Sequence, residues 1–371
     1  MVSYTQNTGR CFMSDNIAGA SPEIVQAIIA AATEHTPPYG NDTITKAARQ
    51  RLQEIFEREV DVFPVSTGTA ANCIALASLV KPWGSILCHP DSHINNDECG
   101  APEAFTGGSK LVAVAGNDTK LDPHSLRAAV SKKAGDVHCV QPSVVSISQA
   151  TESGSVYTVD EICQLSSIAK SAGLRVHMDG ARFSNALVHL DVSPAEMTWK
   201  AGVDVLSFGL TKNGAMTVDV IISFDPTLAS ELAFRQKRAG QLASKMRFHT
   251  AQIEAYLADG LWLRNARHAN GLAARLAAGI KSIPGPELLK EPEANILFCR
   301  LELHVIKELL GRGYHFYHDR WEPGTVGWIG SAILMMKIQI GLGVLALPAA
   351  FNDVGLIPGV ILLCVVGGIV T

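Results

Sequence analysis

Short apolar runs recur along the first two thirds of the chain and alternate with segments whose apolar residues return every three or four positions. Short runs predict buried strands, and the longer spacing predicts amphipathic helices. Strands are predicted at residues 62–65, 85–88, 110–115, 144–147, 174–178, 203–207 and 218–224. Helices are predicted from residue 21 and at 45–60, 73–80, 123–133 and 157–172. This alternation is typical of an α/β domain with a mostly parallel sheet.

The pattern changes after residue 255, where a long alanine-rich and leucine-rich helix is predicted at 256–282, followed by a turn and a strand within 283–300. A smaller second domain is therefore expected. We divide the chain into an N-terminal arm (1–20), a large domain (21–255), a small C-terminal domain (256–325) and an apolar tail (326–371).

Composition narrows the class of protein. The chain has 371 residues, 47% of them hydrophobic, which is enough to build a large core. A net charge of -4 and a pI near 6.3 offer no basic stripe, so nucleic acid is not an expected partner. Eight cysteines at irregular spacing and a polar amino terminus are typical of free thiols in a reducing compartment, and we expect the part before the tail to be cytoplasmic.

Two residues follow predicted strands and suggest cofactor chemistry. Asp179 comes after the strand ending at Met178, and Lys212 comes after the strand at 203–207. Ligands of open α/β sheets bind at the carboxyl ends of strands. Pyridoxal phosphate needs a lysine for its aldehyde and a carboxylate for its ring nitrogen. Either residue alone is better explained as a surface lysine or a helix cap, but both together favour the cofactor.

A phosphate site is predicted where the first strand meets its helix, in the sequence Ser66-Thr-Gly-Thr-Ala-Ala-Asn72. Amides at the start of a helix attract anions. Gly68 permits close backbone approach and Thr69 supplies a hydroxyl, although a Thr-Gly-Thr corner is often only a turn. His89 and His93 suggest a metal, but a third ligand is not evident, and we predict no metal site.

Seven segments in order resemble the threonine aldolase family, particularly its low-specificity L-threonine aldolase branch. They are Ser14-Asp-Asn-Ile-Ala-Gly19, Pro38-Tyr-Gly-Asn-Asp42, Thr67-Gly-Thr-Ala-Ala-Asn72, His93 with Asp97-Glu-Cys-Gly-Ala-Pro-Glu103, residues 177–185, residues 208–214, and Gly240-Gln-Leu-Ala-Ser-Lys-Met-Arg247. The resemblance covers residues 14–325. It implies a fold type I pyridoxal-phosphate enzyme, with helices on both sides of a mainly parallel seven-stranded sheet and a small, incomplete C-terminal α/β domain. It also implies a homo-oligomer, dimeric or tetrameric.

The same resemblance implies roles for individual residues. Lys212 and Asp179 would hold the cofactor, and His93 would lie against its ring and reach the substrate hydroxyl. Glu152, in an Ala-Thr-Glu sequence, would handle the β-hydroxyl proton, although an exposed loop glutamate is an equal alternative. The remaining implied contacts are Ser14, Tyr39 and Arg182 with the substrate, Arg182 also with the cofactor, and Arg247 with a phosphate that could belong to a neighbouring subunit.

The implied activity is cleavage of L-threonine, L-allo-threonine and related β-hydroxy-α-amino acids to glycine and an aldehyde, in threonine catabolism and glycine biosynthesis. Three alternatives remain: a lyase that catalyses β-elimination with the same cofactor, a catalytically impaired aldolase remnant fused to a transporter fragment, and a membrane protein in which the aldolase part is only a passenger.

The resemblance stops near residue 325. The family would continue with an arginine-bearing strand that completes the substrate carboxylate site, but no arginine follows Arg320. Residues 326–347 and 354–371 are instead apolar over about the length that crosses a bilayer. They resemble the start of an amino-acid permease and predict a transmembrane-like helical tail, with a buried helical hairpin as the alternative. Membrane association is expected only through residues 326–371.

Overall fold

The computed structural model describes residues 11–33, 35–318 and, for the backbone alone, 331–337. The chain divides into two compact units. One is Ala20–Arg264, and the other combines Met1–Gly19 with Asn265–Thr371. The residues of the amino-terminal arm therefore group with the carboxyl-terminal part of the chain.

The larger unit is built around a seven-stranded sheet in the order β1-β7-β6-β5-β4-β2-β3. The strands are β1 (Asp61–Val65), β2 (Gly84–Cys88), β3 (Lys110–Ala113), β4 (Gln141–Ser148), β5 (Arg175–Gly180), β6 (Val205–Gly209) and β7 (Asp219–Ser223). The pairs β3-β2, β2-β4, β4-β5 and β5-β6 are parallel, whereas β7 and β1 join the sheet antiparallel. The mainly parallel seven-stranded sheet expected from the sequence is confirmed.

Helices cover both faces of this sheet. They are α1 (Pro22–Ala32), α2 (Thr43–Ile55), α3 (Gly68–Leu79), α4 (His93–Asn96), α5 (Ala101–Thr106), α6 (Pro123–Ser131), α7 (Val159–Ser171), α8 (Phe183–Leu190), α9 (Pro194–Met197), α10 (Ala229–Arg238) and α11 (Arg247–Leu257). Capping explains several of their starts: Thr158 and Glu161 form a capping box on α7, and Asp42 caps α2. Strands β2, β6 and β7 are buried along their whole length, as is typical of a sheet covered on both sides.

Aromatic rings form a connected part of this core. Phe208 of β6 lies edge-on to Phe183 at 5.4 Å and to Trp262 at 5.9 Å between ring centroids, and Tyr256 is 6.2 Å away. Edge-to-face contacts of this kind contribute about 0.5–1.5 kcal/mol each beyond burial. The strand that precedes Lys212 is therefore anchored by large, tightly packed side chains.

The long helix predicted at residues 256–282 is wrong at its start. Helix α11 ends at Leu257, and α12 (Leu261–Lys281) begins after a turn in which Asp259 and Gly260 have φ of 49° and 65°. Two consecutive residues in the left-handed region cannot continue a right-handed helix. The periodic apolar pattern continued across this turn and concealed it.

The smaller unit holds a three-stranded sheet in the order β10-β9-β8, formed by β8 (Glu287–Leu288), β9 (Ile296–Glu302) and β10 (Ser331–Lys337). Helix α13 (Leu303–Gly311) follows β9. A cluster around Leu297, Cys299 and Tyr314 forms its core, with Phe12 packed against it. The backbone amide of Phe12 also donates to the His315 carbonyl at 2.7 Å, which ties the amino-terminal segment into this unit.

The predicted helical character of the tail is wrong where the structure describes it. Residues 331–337 form strand β10, antiparallel to β9 from Ser331↔Glu302 to Lys337↔Ile296. An apolar run without clear periodicity fits a buried strand as well as a helix, and pairing with β9 decides between them. Among the residues described, no helix is long and apolar enough to cross a membrane. Residues 326–330 and 338–371, including the second predicted segment at 354–371, lie outside the described residues.

Candidate active site

Lys212 lies in a single helical turn, Thr211–Asn213, immediately after β6. A buried carboxylate holds the backbone before it: Asp219 Oδ1 accepts hydrogen bonds from the amides of Leu210 at 2.7 Å and Thr211 at 3.1 Å. Burial raises the pKa of Asp219, although these two amides and the charge of Lys212 act in the opposite direction. Asp219 was not predicted as a site residue.

The residue after Lys212, Asn213, is also held by hydrogen bonds. Asn213 Nδ2 donates to the Tyr256 hydroxyl at 2.6 Å and to the Trp262 carbonyl at 2.9 Å. The Tyr256 hydroxyl lies 2.8 Å from Ser184 Oγ, and burial raises its pKa well above the usual range. Lys212 therefore projects from a rigid segment rather than from a mobile surface loop.

Asp179 is buried near the end of β5, next to β6 in the sheet. Its Oδ1 accepts from the amide of Ala181 at 3.0 Å, and its Oδ2 accepts from Nδ2 of Asn72 at 2.9 Å. Hydrogen bonds donated to a carboxylate favour its charged form. The paired register Asp179↔Ser207 places this acid beside the strand that leads, five residues later, to Lys212.

Two glycines let these strand ends approach closely. A Cβ on Gly209 would lie 2.7 Å from both Cα and the carbonyl oxygen of Ala181, and one on Gly180 would lie 2.8 Å from the Ser207 carbonyl oxygen. Contacts this short with backbone atoms cannot be relieved by moving a side chain. Glycine at both positions therefore brings the segments carrying Asp179 and Lys212 side by side.

His93 is the first residue of α4, and its Nδ1 lies 2.8 Å from Oε1 of Glu98. The pKa of His93 is raised: burial lowers it, but the hydrogen bond with Glu98 and the charges of Asp179 and Glu152 outweigh burial, while Lys212 opposes them. His93 is thus within electrostatic reach of Asp179, Glu152 and Lys212. Hydrogen bonds through Glu98 and Asn72 connect His93 to Asp179.

Two members of this polar network were missed by sequence reasoning. Asn72 Nδ2 donates both to Glu98 Oε1 at 2.8 Å and to Asp179 Oδ2 at 2.9 Å, and both residues are buried. Each lies inside a segment already singled out, Asn72 on the first turns of α3 and Glu98 five residues after His93. An acid close in sequence to a candidate histidine was the available signal.

The sheet below the site contains a second buried histidine. His177, two residues before Asp179 on β5, has Nδ1 2.9 Å from Ser146 Oγ and Nε2 3.0 Å from Ser207 Oγ. Complete burial lowers its pKa to about 4, so it is neutral at physiological pH. Because Ser146 lies on β4 and Ser207 on β6, the imidazole ties three neighbouring strands together directly below the acid.

Helix α3 begins at Gly68, and the Thr67 hydroxyl caps it by accepting from the Ala70 amide at 3.1 Å. The first amides of a helix, including those of Gly68 and Thr69, have no carbonyl partner within it, and the helix dipole favours an anion there. A Cβ added to Gly68 would come no closer than 3.6 Å to another group, the Asp219 carboxylate. The helix start is thus uncrowded and close to the Lys212 segment.

Polar groups from α11 and the loop before it also reach this corner. The Ser66 amide donates to Gln241 Oε1 at 2.9 Å, and Ser66 Oγ lies 3.3 Å from His249 Nε2. His249 Nδ1 is buried without a hydrogen-bond partner among the described residues, and burial lowers the pKa of His249. A buried acceptor or donor left unpaired is costly, which is consistent with a site that a ligand completes.

Arg182, at the N-cap of α8 three residues after Asp179, is buried.

Arg247 and Tyr39 make other contacts. Arg247 donates from Nε to the Ala31 carbonyl at 3.0 Å, and Lys237 Nζ lies over the ring of the exposed Tyr39, 5.0 Å from its centroid. In the described part of the chain, Tyr39 and Arg247 form no hydrogen bond or ion pair with His93, Asp179, Glu152 or Lys212. Ser14 caps the turn Asp15–Ile17 in the other unit by accepting from the Asn16 amide at 3.2 Å.

The donor set fits pyridoxal phosphate. A buried carboxylate with two fixed donors and a rigidly held lysine lie on neighbouring strand ends, while uncrowded amides at a helix start suit a phosphate. The partly exposed imidazole of His93 adds a polar planar group in the same region.

Comparison with known proteins agrees with this geometry. The beta-eliminating lyase family matches residues 12–303. The low specificity L-threonine aldolase of Pseudomonas sp. is 46% identical over 306 residues, covering 82% of this chain and 88% of that protein. That of Pseudomonas aeruginosa is 45% identical over 325 residues, covering 88% and 92%. The solved structure of a Leishmania major threonine aldolase has a TM-score of 0.81 at 29% identity, covering 88% of this chain and 93% of its own. These matches lend no support to the permease resemblance of the tail.

Proposed function

The chain belongs to the beta-eliminating lyase family, its relatives there include low-specificity L-threonine aldolases, and we propose that it is a pyridoxal-phosphate-dependent carbon-carbon lyase. It cleaves L-threonine, L-allo-threonine and related β-hydroxy-α-amino acids to glycine and an aldehyde. The observation that carries this proposal is the placement of Asp179 and Lys212 at adjacent parallel strand ends, with Asp179 joined to His93 through Asn72 and Glu98.

Each part of the cofactor has a candidate holder. Lys212 would hold its aldehyde carbon, Asp179 its ring nitrogen, and the amides of Gly68 and Thr69, with the Thr69 hydroxyl, its phosphate. Bound pyridoxal phosphate supplies an electron sink for the pair released when the Cα–Cβ bond breaks. Asp179 favours that role by stabilising a proton on the ring nitrogen, because each unit of pKa difference is worth about 1.4 kcal/mol.

The reaction also needs a group that removes the β-hydroxyl proton, because the aldehyde forms only as that oxygen loses it. His93 and Glu152 are the candidates near Lys212, and His93 is the better placed because its imidazole is partly exposed and anchored at one nitrogen. Arg182 is the candidate for the substrate carboxylate, since a guanidinium can grip both oxygens at once. Ser14 and Tyr39 would complete substrate binding.

Product analysis tests this assignment. Purified full-length protein supplied with pyridoxal phosphate and L-threonine should release acetaldehyde and glycine in equal amounts. A β-eliminating lyase would instead produce pyruvate from serine, or the corresponding 2-oxo acid from threonine. A chain that binds the cofactor but yields none of these products would be the impaired remnant. The reason to consider this outcome is that no arginine follows Arg320 to complete the substrate carboxylate site.

The assembly and location of the enzyme belong to the same proposal. We expect a cytoplasmic homo-oligomer, dimeric or tetrameric, in which Arg247 and Tyr39 act at or near a site of a neighbouring subunit. Light scattering measures the assembly directly. Arg247→Ala should weaken cofactor binding if its guanidinium reaches a phosphate, and leave binding unchanged if it only anchors α1 through Ala31. Fractionation of cells expressing the whole chain tests membrane association through residues 326–371.

A further inference from the structure

We propose that Glu98 is a positioning residue for His93: it binds the Nδ1 hydrogen of His93 and thereby presents Nε2 to the substrate β-hydroxyl, and Asn72 holds Glu98 in place. This inference rests on the proposed function, because it assigns the proton transfer to one nitrogen of His93. It adds two buried residues, Asn72 and Glu98, to the set that the reaction requires.

The contact between Glu98 and His93 leaves one imidazole nitrogen available. Glu98 Oε1 lies 2.8 Å from Nδ1, the Glu98 side chain is 0% exposed, and the His93 side chain is 30% exposed. No hydrogen-bond partner of Nε2 is found in the described part of the chain. In a neutral imidazole, a hydrogen on Nδ1 leaves the lone pair on Nε2. A buried carboxylate on Nδ1 therefore selects the tautomer in which Nε2 is the base.

Asn72 connects this pair to the cofactor acid. Its amide nitrogen carries two hydrogens, one directed to Glu98 Oε1 and one to Asp179 Oδ2. The nitrogen separates two buried carboxylates that would otherwise repel each other, and it fixes the orientation of Glu98. Asn72 Oδ1 is buried with no partner among the described residues, a cost of about 1–3 kcal/mol. The two hydrogen bonds that the Asn72 amide donates explain why an asparagine occupies this position.

The charges that face His93 come from four segments. Glu98 follows α4, Asp179 lies on β5, Glu152 lies in the loop after β4, and Lys212 follows β6. Burial lowers the pKa of His93, and the hydrogen bond with Glu98 is the strongest of the influences that raise it. Removing the charge of Glu98 should therefore lower the pKa of His93, and a base with a lower pKa stays active at lower pH but accepts a proton less readily.

The test is a histidine titration in the intact protein. Glu98→Gln keeps the shape and an oxygen acceptor but removes the charge. In the cofactor-loaded full-length chain, NMR of ¹⁵N-labelled histidine should show the His93 midpoint shifted down by about one pH unit or more, with the signal assigned through His93→Gln. The matched control is Asp97→Asn, which removes the exposed carboxylate next to Glu98 in sequence and should leave the midpoint unchanged.

Activity provides the second readout. Glu98→Gln should lower kcat by about 10- to 100-fold, move the acid limb of the kcat/KM profile to lower pH, and leave cofactor binding through Lys212 intact. Glu98→Asp keeps the charge and should restore the wild-type His93 midpoint at least in part. This second variant also serves if Glu98→Gln does not fold.

Three results would overturn the inference: a His93 midpoint that does not move in Glu98→Gln, an equal shift in Asp97→Asn, or a pH profile that keeps its acid limb. Failure of the proposed function has a different signature. The wild-type protein would then release no glycine and acetaldehyde, whereas the His93 titration would still respond to Glu98.

Discussion

Buried acids lie at both ends of the parallel strands of the large sheet, but different groups balance their negative charges at the two ends. We call the side where these strands begin the amino edge and the side where they end the carboxyl edge. At the amino edge, Asp204 accepts from the Val176 amide at 2.7 Å and pairs with Lys170 and with Arg175, whose Nη1 is 3.4 Å away. Arg175 also pairs with Asp225 at 2.6 Å. The Lys170 and Arg175 side chains, about 40% exposed, complete a structural network with these acids.

At the carboxyl edge, Asp179 and Glu98 form no ion pair with a lysine or arginine in the part of the chain that the structure describes. Amides from Asn72 and Ala181 hold them, together with His93, whose charge depends on pH. Neutral donors stabilise a carboxylate without cancelling its charge, so that charge can act on a ligand. The difference separates acids that hold the sheet together from acids available for chemistry.

Lysine substitutions should separate the two edges most strongly. Lys212→Ala should reduce glycine formation by at least about 10⁴-fold, because the group that holds the cofactor aldehyde is lost. Lys170→Ala removes a lysine from the amino edge and should leave kcat/KM within about threefold of wild type. Steady-state kinetics of both variants make the comparison. Comparable losses in both would mean that the edges do not differ in function.

Substitutions of the acids Asp179 and Asp204 should also affect activity at the carboxyl edge and not at the amino edge, but with a smaller loss than for the lysines. Asp179→Asn should lower kcat by about 100- to 1,000-fold, since the negative charge that would stabilise a proton on the cofactor ring nitrogen disappears. Asp204→Asn should keep its activity but lose about 1–3 kcal/mol of unfolding free energy, because Lys170 loses its counterion and Arg175 keeps only Asp225. Denaturant unfolding alongside kinetics measures both effects. An active Asp179→Asn protein would contradict the cofactor site.

The dependence of the unfolding free energy on pH should report on His177, which is buried on β5 between the two edges. Burial lowers the pKa of His177 to about 4, so the unfolded chain takes up a proton first as the pH falls. The stabilisation is present above about pH 6.5 and is lost toward pH 4, a change of about 3 kcal/mol. His177→Gln cannot be protonated and should lack this component. Equal slopes for both proteins in denaturant unfolding would show that His177 is not the group responsible.

The smallest effect is expected at Asp219. Asp219→Asn retains an oxygen that can accept from the Leu210 and Thr211 amides, so activity should stay within about tenfold of wild type. Asp219→Ala leaves both amides without this acceptor and should cost about 1–2 kcal/mol of unfolding free energy, with weaker cofactor retention. If both variants behaved alike, the carboxylate would not be what holds the Lys212 segment.

Much of the fold was predictable because strands buried on both faces are continuous apolar runs, and the seven strands of the large sheet stand where such runs occur. Lys212 and Asp179 could be singled out because each follows one of these runs. The turn at Asp259 and Gly260 and the strand Ser331–Lys337 were not predictable, since apolar periodicity continues through the first and fits a helix as well as a strand in the second.

The sequence by itself determined the order of strands and helices, the polar residues at their ends, and the resemblance to the aldolases, because these depend on local periodicity and on residue identity. Only the tertiary structure decided that Asn72, Glu98, His93 and Asp179 form one network. Their hydrogen bonds join α3, the segment after α4 and β5, across as many as 107 residues of chain. Such contacts depend on how the elements pack, a property that no local pattern carries.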